Sequence, residues 1–266
     1  MTKPLLTYEN LGVSYGSRSV LKGVSLCLGA GEILGVVGES GSGKTTLLNA
    51  AMGLLPADAG VSGRIMLGDE DLLGLPAERL RELRGARIGL VFQDCRASLT
   101  PTRTIESQAY EAVCAHARVG RPDKQDVHER LVTLLELMLL ASPERILASY
   151  PFELSGGMGQ RVGIALAMLL EPDVILADEP TSALDVVSRR QVLDSFVRLK
   201  RESGAGILLV SHDLAAVRAV ADRVAVIQDA CIVEQGTTAQ VMADPQHPYT
   251  RQLLGALPSF GSWGGR

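Results

Sequence analysis

The sequence is poor in cysteine, with 4 in 266 residues, and none of Cys27, Cys95, Cys114 and Cys231 stands in a CxxC pair. Such scatter offers neither a zinc ligand set nor a disulfide framework, and it suits a reducing cytoplasm. Cys114 and Cys231 read as small apolar residues of a buried core. Aromatics are scarce at 4%, and no segment interleaves them with basic side chains. With 26 Lys and Arg against 30 Asp and Glu the net charge is −4, so nucleic acid is not expected as a partner. Apolar runs at 131–141, interrupted by Glu136, and at 164–170 are short of the roughly 20 residues that span a bilayer, so no direct membrane span is expected. An acid at Glu9 and the lack of a long apolar stretch near the amino terminus argue against a signal peptide. What is present, 46% hydrophobic and 21% charged residues, is the composition of a globular chain able to bury a large α/β core.

Runs rich in Val and Ile at 32–37, 64–67, 88–91, 174–177, 207–210, 224–227 and 231–234 are bounded by Gly, Asp or Ser and read as strands. Helical periodicity at 45–52, 78–84, 157–170, 186–202 and 214–221 falls between several of them. The alternation predicts a largely parallel sheet with helices on both faces. Two regions break it. Short strand-like pieces at 5–11, 13–15 and 24–28 suggest an antiparallel β portion, and 105–140 is helical without a strand, which suggests an inserted helical subdomain. Gly120 and Pro122 place a loop at 118–123 between two helices of that insertion, and the Gly- and Ser-rich tail 258–266 is expected to be mobile.

Gly38-Glu39-Ser40-Gly41-Ser42-Gly43-Lys44-Thr45 satisfies GxxxxGK[ST] between an apolar strand and a helix, the context of a phosphate-binding loop. Backbone N–H groups of such a loop curl around phosphates, Lys44 reaches the β- and γ-phosphates, and the Thr45 hydroxyl reaches Mg²⁺. The run 174–179 ends in Asp178 and Glu179, at the end of a buried strand where α/β sheets bind ligands. Asp178 suits Mg²⁺, and Glu179 suits an acceptor for the proton of an attacking water. Leu154-Ser155-Gly156-Gly157 opens a long apolar helix and offers a second anion site, although a serine there also serves as a plain N-cap.

Taken in order, the P-loop, the Ser-Gly-Gly helix start, Asp178-Glu179, Ser182-Ala183-Leu184-Asp185 and His212 after a strand resemble the ABC transporter ATPase family. The resemblance implies an α/β P-loop NTPase (RecA-like) core with an N-terminal antiparallel β subdomain and an inserted helical subdomain. It assigns 5–257 to the ATPase domain, with 1–92 and 162–245 as core and β subdomain, 93–161 as helical subdomain with the signature, and 246–266 as a carboxyl-terminal motif and tail. It also implies ATP and Mg²⁺, with the nucleotide held by Gly38, Glu39, Ser40, Gly41, Ser42, Gly43, Lys44, Thr45 and Thr46. Ser155, Gly156 and Gly157 would act on ATP bound to a second ATPase subunit. Residue by residue, Tyr15 becomes the aromatic stacked on adenine, Gln93 the group reaching Mg²⁺ and water, Asp185 the end of the loop crossing the dimer interface, and His212 the γ-phosphate switch. Singly, Tyr15 also suits core filling, Gln93 a loop and His212 a satisfied structural side chain; order and spacing carry the assignment.

His247-Pro248-Tyr249-Thr250 followed by Leu253-Leu254 resembles the carboxyl-terminal motif of oligopeptide, dipeptide and nickel importer ATPases. Met158 in the signature suits that subfamily, and the stretch 149–154 is similar to its nickel and metal-chelate branch. After Gln93, Asp94-Cys95-Arg96-Ala97-Ser98-Leu99-Thr100-Pro101 resembles the subfamily's run, with Cys95 and Thr100 as departures. The resemblance implies a non-identical second ATPase, with a homodimer possible, two membrane-spanning permease subunits and an extracytoplasmic substrate-binding protein. The chain would then sit on the cytoplasmic face of the inner membrane and energise uptake of peptides or of nickel and metal chelates. An exporter ATPase or a soluble ABC ATPase would share the same sites and stands as the alternative.

Overall fold

The computed structural model describes residues 3–117 and 120–256. Its first elements are β1 (Leu6–Tyr15), β2 (Arg18–Leu28), β3 (Ile33–Val37), α1 (Lys44–Ala51), β4 (Ala59–Leu67), β5 (Glu70–Asp71), α2 (Ala77–Leu83) and β6 (Ile88–Val91). Helices follow without a strand: α3 (Cys95–Ser98), α4 (Ile105–His116), α5 (Lys124–Leu137), α6 (Pro143–Ala148) and α7 (Gly156–Ala167). The chain then returns through β7 (Val174–Asp178), α8 (Val186–Ser203), β8 (Gly206–Ser211), α9 (Leu214–Val220), β9 (Arg223–Gln228), β10 (Cys231–Thr237), α10 (Thr238–Ala243) and α11 (Pro248–Gly255).

Among the described residues the strands form two sheets, an antiparallel one ordered β2-β1-β4-β5 and a second ordered β10-β9-β3-β8-β7-β6. In the second, β6, β7, β8, β3 and β9 run parallel. Its central strands are buried on both faces, as parallel strands flanked by other layers must be. Strand period splits their side chains between two cores. Ile33, Val37, Ile175, Ala177, Ile207, Leu209, Val224 and Val226 face the cluster shared with α4, α5, α7, α8 and α9. Leu34, Val36, Val174, Leu176, Leu208, Val210, Ala225 and Ile227 face the cluster shared with α1 and the antiparallel sheet. Complete burial of each such side chain contributes about 1.5–3 kcal/mol, so the strand ends that carry the site rest on the best-packed part of the molecule.

Several elements depart from expectation. The pieces expected at 5–11 and 13–15 are one bulged strand, with Asn10 at φ +49° and register shifts on both sides of Leu11. Opposite the bulge β4 extends to Ala59, beyond the expected 64–67, because Gly63 at φ +89° lets the backbones meet: a Cβ there would lie 2.5 Å from the carbonyls of Glu9 and Asn10. Beside β9, β10 is antiparallel, since only Asp229 and Ala230, both at positive φ, separate the two in a tight hairpin. As expected, the helical stretch 105–140 divides into two helices, α4 and α5, and Asp123 caps the second by accepting the Gln125 N–H. Of the expected loop 118–123, residues 118–119 lie outside the described residues, as does the tail 258–266. Cys114 and Cys231 are half-buried rather than core residues; Cys95 is the enclosed cysteine, and burial pushes its thiol up to about 12.

Candidate functional site

The loop 38–45 joins β3 to α1 at the carboxyl end of the parallel sheet. Gly43 has φ +104°, and a Cβ on it would lie 2.6 Å from the Val20 carbonyl, so the approach of β2 admits glycine alone. Within the loop the Ser42 hydroxyl is buried and has no hydrogen-bond partner among the described residues, an orphaned group that fits an oxyanion. Lys44 is only 5% exposed. Its ammonium donates to the carbonyls of Gly38 at 2.9 Å and Glu39 at 2.8 Å, and lies 3.8 Å from Glu179 Oε1. Burial lowers the Lys44 pKa against the pull of Glu179 and Asp178. Of its three N–H donors, two hold the loop and the third is free for Glu179 or an anion. Thr46, two residues further along α1, is half-buried, whereas Glu39, Ser40 and Gly41 are exposed at the loop's outer side.

Strand β7 delivers Asp178 beside α1, where its Oδ1 accepts the Thr45 hydroxyl at 3.2 Å. Burial raises the Asp178 pKa and the Glu179 charge adds to the rise, while the Thr45 hydrogen bond opposes it. A carboxylate so disfavoured is relieved by a cation. Hard oxygen donors from Thr45 and Asp178 at this spacing fit Mg²⁺, which prefers such ligands.

Glu179 sits at φ +43°, a backbone conformation that costs a non-glycine residue about 1–3 kcal/mol and persists where neighbours over-determine it. Those neighbours are evident. Its N–H donates to the Val210 carbonyl at 3.0 Å, and its Oε2 is 2.8 Å from Nδ1 of His212, exposed at the end of β8. Gln93, past the end of β6, donates to the Ser182 hydroxyl at 3.0 Å, and Ser182 donates to the Glu179 carbonyl at 3.1 Å. Ser182 thus joins Gln93 to Glu179, a bridging role that spacing did not reveal. Buried Gln160 of α7 braces the same joint, donating to the Phe92 carbonyl at 2.8 Å and accepting the Cys95 N–H at 3.2 Å.

A second group forms around α7. Ser155 caps that helix, accepting the Met158 N–H at 3.3 Å. Gly157 lies against α8, where a Cβ would be 2.6 Å from Ser188 Oγ, and Gly156 faces Leu184. Asp185 caps α8, accepting the N–H groups of Val187 and Ser188 at 3.0 Å, and the Ser188 bond leads in holding its carboxyl low. Among the described residues no hydrogen bond ties Ser155, Gly156 or Gly157 to the loop 38–46. One chain therefore presents two separate groups, the phosphate loop with Asp178, Glu179, His212 and Gln93, and the helix start at Ser155 with Asp185.

Tyr15 ends β1 half-buried against the second core cluster and makes no polar contact with the loop 38–45. Beside that loop lies a cavity of about 320 Å³ lined by Arg18, Val20, Lys22, Ser40, Gly41 and Tyr249. Nothing in sequence spacing pointed to Tyr249, which stands 210 residues from its partner Glu39.

Residues 21–182 match the family described as ABC transporter, and residues 233–265 match the oligopeptide/dipeptide transporter, C-terminal region. The dipeptide transport ATP-binding protein DppD of Bacillus subtilis is 40% identical over 260 residues, covering 96% of this chain and 77% of that protein. The metal-staphylopine import system ATP-binding protein CntD of Staphylococcus aureus is 37% identical, covering 94% of this chain and 92% of its own. Among solved structures, the dimeric ATP-binding cassette MJ0796 bound to ADP and Pi superposes with a TM-score of 0.76 at 28% identity, covering 88% of this chain and 98% of that one. The cbiO1 protein of Clostridium perfringens, part of the ABC transporter complex cbiONQ, reaches 0.77 at 27% identity over 97% of each chain. No described helix is long and apolar enough to cross a membrane. On these matches the chain belongs to the ABC transporter family, as a nucleotide-binding, ATP-hydrolysing cassette.

Proposed function

We propose that this chain powers an importer of peptides or metal chelates, docked through permease subunits on the cytoplasmic face of the membrane. The observation that carries the importer reading is the match of 233–265 to the oligopeptide/dipeptide transporter C-terminal region. Relatives at about 40% identity are named for dipeptides and oligopeptides, and one at 37% for metal-staphylopine, which supports peptides as the first cargo class and chelates as the second.

In this reading the loop 38–46 binds the phosphates of ATP and Lys44 neutralises them, while Tyr15 supports the adenine beside the cavity at Arg18 and Val20. Thr45, Asp178 and Gln93 would hold Mg²⁺, which would neutralise charge on the phosphate oxygens. Glu179 accepts the proton of the attacking water, its carboxylate aimed by His212 and Lys44. His212, through the same bond, registers the γ-phosphate. Ser182 couples Glu179 to Gln93, and Gln93 opens the segment 93–161, the helical subdomain, set apart from the core and β subdomain at 1–92 and 162–245. Ser155, Gly156, Gly157 and Asp185 serve the nucleotide of a second ATPase, a non-identical subunit or another copy. An extracytoplasmic binding protein delivers the cargo.

Uptake of radiolabelled di- and oligopeptides and of nickel or metallophore complexes in a strain lacking this chain tests the assignment. Peptide or chelate uptake restored by the wild-type chain is the expected result. Unimpaired uptake of both classes would contradict it and favour an exporter or a soluble ATPase.

A further inference from the structure

The His-Pro-Tyr-Thr stretch has a family match but no part in the chemistry above. Its placement is tightly determined. Glu234 on β10 accepts the Gln246 N–H on Oε1 at 2.8 Å and the His247 N–H on Oε2 at 3.0 Å, which fixes the entry to α11. His247 then caps that helix, its Nδ1 accepting the Tyr249 N–H at 3.3 Å. The result is a tyrosine 5% exposed, wedged beside the phosphate loop, whose hydroxyl accepts the Glu39 N–H at 3.0 Å. Glu39 is the second residue of that loop, and its carbonyl in turn accepts Lys44 Nζ at 2.8 Å and the Ser42 N–H at 3.2 Å. Residue 39 is therefore held on one side by the carboxyl-terminal segment and on the other by the lysine and serine that face the phosphates. Tyr249 also lines the cavity shared by Ser40 and Gly41.

We propose that Tyr249 is a positioning residue of the ATP site, its hydroxyl fixing the Glu39 backbone from behind so that the importer-type carboxyl-terminal segment becomes a structural part of the phosphate loop. The proposal rests on reading 38–45 as the nucleotide loop. It separates two duties of one side chain: the ring fills core space, and the oxygen sets the loop. Phenylalanine retains the first and removes only the second.

The test compares full-length wild type with Tyr249→Phe for binding of Mg-ATP and Mg-ADP, together with hydrogen exchange at the Glu39 amide and the melting temperature. Loss of one hydrogen bond from a half-buried amide should raise both dissociation constants about threefold to tenfold. Exchange at Glu39 should quicken, with little change in melting temperature. Unchanged affinity for both nucleotides, or a lowered melting temperature with affinity intact, would reduce Tyr249 to a packing residue and overturn the proposal. Lys44→Ala run alongside keeps the two readings apart, because wild-type affinity in that variant would refute the nucleotide loop itself.

Discussion

At the scale of single residues the site is a balance of buried charges. Lys44 is enclosed in its own loop, and burial lowers its pKa, yet two backbone carbonyls and the nearby Glu179 and Asp178 keep it useful as a cation. Asp178 carries the opposite imbalance, a carboxyl raised by burial. Both strains are relieved by the same ligand, an anionic phosphate with a divalent cation, which is why the pair reads as a binding site rather than as a structural ion pair. Truncating Lys44 to Ala should therefore weaken ATP by about tenfold to a hundredfold, the range for losing a hydrogen bond to a charged group. Equilibrium titration with a fluorescent ATP analogue measures this, and wild-type affinity would exclude the role. The phosphate loop, Asp178 and Glu179 were legible in the sequence because their spacing is local. The motifs that hold Ser182 and Tyr249 were legible too, but their contacts with Gln93 and Glu39 were not, since only the fold brings those residues near.

Elements follow the same division between local and distant causes. Strands of the parallel sheet were readable because burial on both faces writes continuous Val and Ile runs. The outer half of β4, with Gly60, Ser62 and Gly63, carries no such signal and is a strand because β1 pairs with it. The short helices α6, α10 and α11 are too brief for periodicity to register and depend on docking. Within the helical region, His128 of α5 places Nδ1 2.6 Å from Glu106 of α4 and Nε2 3.0 Å from Glu144 of α6. Both ring nitrogens donate only in the imidazolium form, and the Glu106 bond followed by the Glu144 bond raises the His128 pKa. The stability it contributes is thus complete below the unfolded value of about 6.5 and is lost as pH rises through the higher folded value. Thermal melts at pH 6 and pH 8 check this. Wild type should lose more melting temperature over that interval than His128→Gln, and an equal loss in both would contradict the pairing.

For the whole molecule, the separation of the phosphate loop from the signature is the feature with the largest consequence. Ser155, Gly156 and Gly157 are ordered on α7 by their own cap and by close packing on α8, yet they make no hydrogen bond to the loop 38–46. A single chain therefore keeps the two groups apart, and in the proposed function each is completed by a second cassette; the cassette MJ0796, which it resembles, was solved as a dimer. Besides the shared apolar core, hydrogen bonds from Gln93 to Ser182 and from Ser182 to the Glu179 carbonyl tie the end of β7 to the residue that opens the helical region. The central claim is that Glu179, aimed by His212 and Lys44, activates water for ATP cleavage. Steady-state ATP turnover by Glu179→Gln in the assembled transporter, with nucleotide affinity measured on the same sample, tests it most directly. The account predicts turnover reduced about a hundredfold or more while ATP binding is retained, and wild-type turnover by that variant would contradict it.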